Sequence, residues 1–368
     1  MNDLLRTPLC DLLGITYPIL QAGMGQVSRA DLVAAVSNAG GLGVIGGSGM
    51  SATELREEIR KVRDQTERPF GVDIILPMNV QTSDEMRDES TLPPVPAAPD
   101  FVLDLRNEYG IKDDDKPVPR TTNKLIRERV GVVLEERVPV FVSGLGDPAW
   151  MVPDAHAQGM KVLSVVGSPR AAKKVARGGV DAVIAQGYDG GGHTGRIGTL
   201  SLVPQVVDTV APVPVVAAGG IADGRAIVAA LVLGAVGVWL GTRFLATEEA
   251  FVHRNYKERL VAAAPEESVI TTVYTGKTVH ALKNRLTELW EKSGEKPLPM
   301  PLQGMRIGAR TVYSGREQGI VDVGSVLSGQ AIGLIRDVVS AGEVVRRLVA
   351  ETQDILGQLT VGRLPIAH

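Results

Sequence analysis

KVLSVVGSPRAAKKVARGGVDAVIAQG, Lys161 to Gly187, is the stretch on which the fold turns. Its two ends, Lys161 to Ser168 and Ala182 to Gly187, are apolar almost throughout. Between them, Ser168-Pro169 sets a capping hydroxyl directly before a proline suited to the first turn of a helix. Continuous rather than alternating hydrophobicity means that both faces of a strand are covered, as in parallel strands enclosed by helices. The stretch therefore predicts strand, helix, strand.

Six further runs share this character: Pro18 to Met24, Leu42 to Gly47, Phe70 to Leu76, Val138 to Leu145, Val213 to Ile221 and Gly237 to Thr247, eight in all. Ser51 with Glu54 forms a capping box after the second, and Asp147-Pro148 repeats the cap-then-proline signal after the fourth. Eight β–α units predict an α/β fold, the (β/α)8 TIM barrel. A doubly wound open sheet competes, and periodicity alone separates the two poorly.

Residues 1–247 are expected to form the barrel and 248–368 a helical cap packed on it, with helices at Thr278 to Lys292 and Ser340 to Gln358 and no further strand. The third and fourth runs lie too far apart for a simple helical return, so an insertion is expected at about 77–137. It holds STLPPVPAAPD and KDDDKPVPR, a short helix at Asp100 to Tyr109 and a better one at Thr122 to Glu136. It reads as a solvated excursion, or as a lid or subunit contact because it leaves from the catalytic face of a barrel.

With 368 residues, 44% apolar and 22% charged, the chain can bury a large core. A net charge of −3 gives no electrostatic reason to expect nucleic acid or an anionic membrane as partner, so the ligand is expected to be small. The apolar stretches fall short of the roughly 20 residues of a membrane span. The single cysteine, Cys10, excludes an internal disulfide and a cysteine metal cluster, and no metal site is expected. The first residues lack the pattern of a signal peptide, so the expected location is cytoplasmic.

The chemistry points to AQGYDGGGHTGRIGTL, Ala185 to Leu200, where His193 stands on a glycine-rich loop after the sixth run. Glycine lets backbone N–H groups approach a flat ligand, and a histidine with ordinary pKa of about 6.5 suits proton transfer near neutrality. Taken alone, the loop also reads as a tight turn with a surface histidine. Gly41, Gly43 and Gly46 spell G-x-G-x-x-G, yet they run into a strand instead of following one, so the dinucleotide reading fails its context. Gly219 and Gly220 end the seventh run and Gly241-Thr242 stand in the eighth, where many barrels cradle a phosphate on backbone N–H groups. Barrel-closing turns are the plainer reading of those four.

Gln21-Ala22-Gly23-Met24, Ser37 to Gly43, Gly190 to Gly195, Ala217 to Asp223 and Gly241 to Phe244 resemble the nitronate monooxygenases, formerly called 2-nitropropane dioxygenases. The resemblance spans nearly the whole chain. His253 to Lys257 and Gly324 to Gln330 are also similar to the flavin-dependent enoyl-acyl-carrier-protein reductases of the same superfamily. It implies a TIM barrel with non-covalent FMN, the phosphate at Gly219, Gly220, Gly241 and Thr242 and the ring over Ala22, Gly23 and Met24. Ser168, Gln186, Gly191, Gly192 and Gln330 fall at positions that surround the flavin, and His193 at the catalytic position. Asp73 stands where many relatives have asparagine, and an ionised carboxylate there would disfavour an anionic reduced ring unless paired or turned away.

The implied reaction takes a nitronate, or a nitroalkane deprotonated by His193, together with O2 to a carbonyl compound and nitrite. The competing readings are an NAD(P)H-dependent flavin reductase of an enoyl thioester or quinone, and a flavin-binding protein without activity. A barrel dehydrogenase of nucleotides lacks its attacking cysteine, because Cys10 precedes the first strand. The substrate and whether the chain is a homo-oligomer stay open.

Overall fold

In the computed structural model, which describes residues 5–76, 94–112 and 123–362, each of the eight apolar runs yields a parallel strand of one sheet. These are β1 (Ile19–Gln21), β2 (Gly43–Gly46), β3 (Phe70–Ile75), β4 (Val140–Leu145), β5 (Lys161–Val166), β6 (Ala182–Gln186), β8 (Val215–Ala218) and β9 (Gly237–Leu240), with β7 (Gly192–His193) outside the sheet. The strand order is β1-β9-β8-β6-β5-β4-β3-β2. Its two ends meet, because Gln21 N donates to Leu42 O at 2.9 Å and Leu42 N to Ile19 O at 3.0 Å. Closure decides for the barrel over the open sheet.

Alternation along the strands separates two cores. Leu20, Val44, Val142, Leu163, Ile184, Val216 and Trp239 fill the interior, whereas Ile19, Ile45, Val72, Phe141, Val162 and Val183 pack outward on helices. The helix Pro8–Leu13 plugs the end opposite the site, with Leu9 and buried Cys10 in the interior cluster.

Helices Ala30–Asn38, Ala52–Gln65, Asn123–Glu135, Val152–Ala157, Pro169–Arg177, Thr199–Val210 and Gly224–Val232 follow successive barrel strands. Ser51 and Ser168 cap as expected, accepting from Glu54 N at 3.1 Å and Ala171 N at 3.2 Å. Asp147-Pro148 does not start a helix. Asp147 Oδ1 accepts from Ala149 N at 3.1 Å in a local turn, and the helix begins later, at Val152. The eighth outer helix is Ala341–Thr360, which packs on Gly224–Val232 and Ala30–Asn38. The barrel layer thus draws on residues on both sides of 247.

The expectation of no strand after Thr247 is corrected by β10 (Ser268–Thr271) and β11 (Val279–Leu282). They pair antiparallel, and β11 continues onto β7 to make a three-stranded sheet beside the barrel mouth. The helix expected from Thr278 accordingly starts at Arg285, capped by Asn284.

Helix Asp100–Glu108 of the inserted segment packs on this C-terminal region. Val102 and Leu105 join Val279, Leu286 and Trp290 in one satellite core, and Phe101 meets the Trp290 ring edge-on at 5.6 Å. KDDDKPVPR lies outside the described residues apart from Lys112, and STLPPVPAAPD is described only from Pro94. Among the described residues no helix is long and apolar enough to cross a membrane.

Candidate active site

Glycines at the ends of β1, β4, β8 and β9 line the mouth of the barrel. Val72 and Ile74 belong to the outer core, so Asp73 between them faces inward at the end of β3. Asp73 is 6% exposed, and a Cβ on either Gly23 or Gly144 would overlap its side chain. Its Oδ1 is buried with no hydrogen-bond partner. Burial pushes the carboxyl pKa up to about 8, the nearby Gly144 amide opposing this only in part. At neutral pH the group is therefore mostly an uncharged acid. The objection that an ionised carboxylate here would disfavour an electron-rich ring loses its force.

The loop after β1 is stitched to β2. Gln21 Oε1 accepts from Val44 N at 3.1 Å, its Nε2 donates to Ser28 Oγ at 2.8 Å, and Ser28 Oγ accepts from Met24 N at 3.0 Å. A Cβ added to Gly241 would stand 3.7 Å from Met24 Sδ and 3.8 Å from Ala22 Cβ, so these three residues border one space. Gly219 and Gly220 hold φ of +97° and +73°, a region that residues with a Cβ rarely adopt. Among the described residues the amides of Gly219, Gly220 and Gly241 donate to no backbone carbonyl, which leaves them free for an anion. Thr242 Oγ1 accepts from Gly329 N at 2.9 Å, and Arg243, 6% exposed, pairs with Asp337 at 2.9 Å behind the loop.

His193 is fixed through its backbone. β7 pairs with β11, opposing His193 to Val279 and Gly192 to His280, and Gln186 Nε2 donates to the His193 carbonyl at 3.0 Å. Gly192 has φ +70°, and a Cβ on Gly191 would stand 2.9 Å from Gly329 N. The imidazole Nε2 lies 3.3 Å from Thr275 Oγ1. The ring is open to solvent, yet enough protein surrounds it that desolvation, and then the Lys277 ammonium, hold its pKa below the ordinary histidine value. A neutral imidazole at pH 7 follows.

The remaining expected residues lie around this mouth with other duties visible. Ser168 spends its hydroxyl on the helix cap. Gln330, on the exposed rim, donates its backbone N–H to Asp189 O at 2.9 Å. Gly43, from the G-x-G-x-x-G triplet, abuts the Val33 backbone, so that glycine serves helix packing. Sequence reasoning missed Thr275, Lys277 and His280. Only the pairing of β11 with β7 brings them to His193, although Gly276 and the Asn284 cap were available as signals that no helix runs through 278–283. A cleft of about 540 Å³ lies beside the mouth, reaching from Gly219 and Gly220 out to Leu200 and Leu334, and includes neither His193 nor Met24.

A closed barrel with unengaged loop amides and a glycine-lined mouth defines a site of the (β/α)8 class. The family model for nitronate monooxygenase matches residues 6–351, and the chain belongs to that family. It is an oxidoreductase of the flavin-dependent kind. It is 32% identical to a protein of Staphylococcus saprophyticus described as a probable nitronate monooxygenase, covering 96% of this chain and 99% of that one. A 5-hydroxy-7a-methyl-1-oxo-octahydro-1H-indene-4-carboxyl-CoA dehydrogenase of Rhodococcus jostii is likewise 32% identical, over 96% of this chain and 99% of its own. Among solved structures, FabK from Thermotoga maritima superposes with a TM-score of 0.79 at 33% identity, covering 97% and 99% of the two chains. A nitroalkane oxidase from Streptomyces ansochromogenes gives 0.78 at 30% identity, covering 95% and 99%.

Proposed function

We propose that the chain is an FMN-dependent nitronate monooxygenase, converting nitronates and nitroalkanes with O2 to carbonyl compounds and nitrite. The observation that supports this reading is that Gln186, at the end of β6, holds the His193 carbonyl at 3.0 Å beside a mouth bordered by Gly23, Gly144 and Gly241. The residues suit the cofactor. The unengaged amides of Gly219, Gly220 and Gly241, with Thr242, would take its phosphate. Ala22, Gly23, Met24, Ser168, Gln186, Gly191, Gly192 and Gln330 would surround the ring, and the orphaned Asp73 Oδ1 offers it an unused polar group. When bound, FMN supplies the electron transfer.

The protein's own part is proton transfer. The Thr275 hydroxyl donates to Lys277 O at 3.2 Å, so its oxygen is left to accept from His193 Nε2–H. Nδ1 is then the basic nitrogen, and it takes the α-proton of a neutral nitroalkane. Desolvation first, and then the Lys277 ammonium, disfavours a proton on Nδ1, and the same ammonium favours the anion that deprotonation creates.

The purified protein should be yellow and release FMN, not FAD, on denaturation, as read by chromatography of the freed flavin. It should consume oxygen and produce nitrite with a nitronate. Release of FAD, or rapid anaerobic bleaching by NADPH with no turnover of any nitro compound, would replace this reading with a reductase.

A further inference from the structure

Gly190, Gly191 and Gly192 have no side chains, so the orientation of their peptides is set by whatever holds their polar groups. Several contacts hold the segment from Asp189 to His193, among them the pairing of Gly192 and His193 with β11, Gly190 N donating to Gly187 O at 3.2 Å and Asp189 Oδ2 accepting from Thr199 N at 2.6 Å. Asp189 O accepts from Gln330 N at 2.9 Å, and His193 O accepts from Gln186 Nε2 at 3.0 Å. Between them, Gly190 O is bonded to His280 Nδ1 at 2.9 Å. Neither the proposed reaction nor the flavin cradle uses His280.

His280 is 1% exposed, stands in the middle of β11, and pairs with Gly192 on one side and Ile270 on the other. The Tyr188 ring packs edge-on to it at 4.8 Å, fixing the plane of the imidazole. A carbonyl only accepts, so Nδ1 must carry the hydrogen. The bond spans the seam between the C-terminal hairpin and the loop, two residues from Gly192 and three from His193 on the loop side.

We propose that His280 is a positioning residue, whose Nδ1–H fixes the Gly190 peptide and through it the placement of His193 over the barrel mouth. It rests on the reading of His193 as the base. Removing the bond leaves the Gly190 carbonyl buried and unpaired, and lets the Gly190–Gly191 peptide turn ahead of the pairing that holds Gly192 and His193. A misplacement of about 1 Å at a reacting group can cost about 10²-fold in rate.

The direct test labels the histidines of the wild-type protein with 15N and reads their tautomers by NMR. His280 should show the Nδ1–H form, which is the minor one in free histidine; an Nε2–H form overturns the proposal without any variant. In steady-state assays with a neutral nitroalkane, His280→Leu should lower kcat by about 10- to 100-fold with KM little changed. His280→Asn, whose amide keeps an N–H donor near the Nδ1 position, should recover most of that loss. Unchanged kcat in His280→Leu overturns the proposal. So do equal losses in both variants accompanied by equal losses of melting temperature, which mark a purely structural contact. If His193→Asn itself costs nothing with the nitroalkane, it is the base reading that fails, and the tautomer still decides whether His280 holds the loop.

Discussion

Gly144 and Asp73 share one space at the ends of neighbouring strands, such that a Cβ on Gly144 would fall on the carboxyl oxygens of Asp73. Gly23 closes the same group from the other side. The acid is thereby kept dry by backbone alone, which is why its pKa rises and why its environment leaves little room for an ordered partner.

Gly144→Ala should destabilise the protein by about 1–3 kcal/mol, the usual range for overpacking a filled site. Adding Asp73→Ala should return part of that loss, because the clashing atoms are gone. Urea unfolding of both single variants and the double variant gives the coupling. Strict additivity would show that the two side chains do not compete for the same space.

Asp73 also makes stability depend on pH. Its folded-state pKa of about 8 lies above the unfolded value of about 3.9. Between the two the folded chain holds a proton that the unfolded chain has lost, so the contribution is complete below about 3.9 and falls as pH rises through about 8. Asp73→Asn removes this titration. The melting temperature of the variant, relative to wild type, should climb by a few °C from about pH 5 to about pH 8.5. A difference that stays flat would mean that Asp73 is ionised throughout.

The barrel was legible because parallel strands covered on both faces leave continuous apolar runs, and every observed barrel strand falls inside one of the runs read from the sequence. The hairpin was not. β10 is half exposed and only four residues long, and β11 carries a histidine at its centre, so VHAL merged with the helical pattern that follows. The loop glycines announced the mouth by their residue type. Their neighbours Thr275, Lys277 and His280 reach it only through tertiary pairing, for which local spacing leaves no trace.

Gly220→Asp tests the phosphate cradle. The site combines φ +73° with a Cβ position 3.1 Å from that of Asp189, so the variant adds strain and a second carboxylate beside the amides proposed to hold the phosphate. FMN affinity should fall roughly tenfold or more, since charge-assisted hydrogen bonds contribute about 1.5–3 kcal/mol each. Fluorescence titration of the apoprotein measures it. Undiminished affinity in a folded variant places the phosphate elsewhere.

Lys277→Gln removes the cation that, after desolvation, depresses the His193 pKa. Protonation of the imidazole becomes easier, so the acid limb of kcat/KM for a neutral nitroalkane should move to higher pH while remaining a single limb. A limb that does not move would show that desolvation alone sets the value.

His193→Asn separates two substrates that differ by one proton. A neutral nitroalkane needs a base, whereas a nitronate formed beforehand in alkali does not. The depressed pKa keeps the wild-type imidazole unprotonated at neutral pH, and asparagine preserves polarity and approximate size without basicity. Turnover of the nitroalkane should therefore drop by about 10²-fold or more, the ordinary scale for a lost general base. Turnover of the pre-formed nitronate should drop far less, and FMN should remain bound because no phosphate contact is touched. Oxygen uptake measured side by side with both substrates, at one pH above the acid limb, makes the comparison. Equal losses on the two would assign His193 to binding or charge stabilisation in place of proton removal.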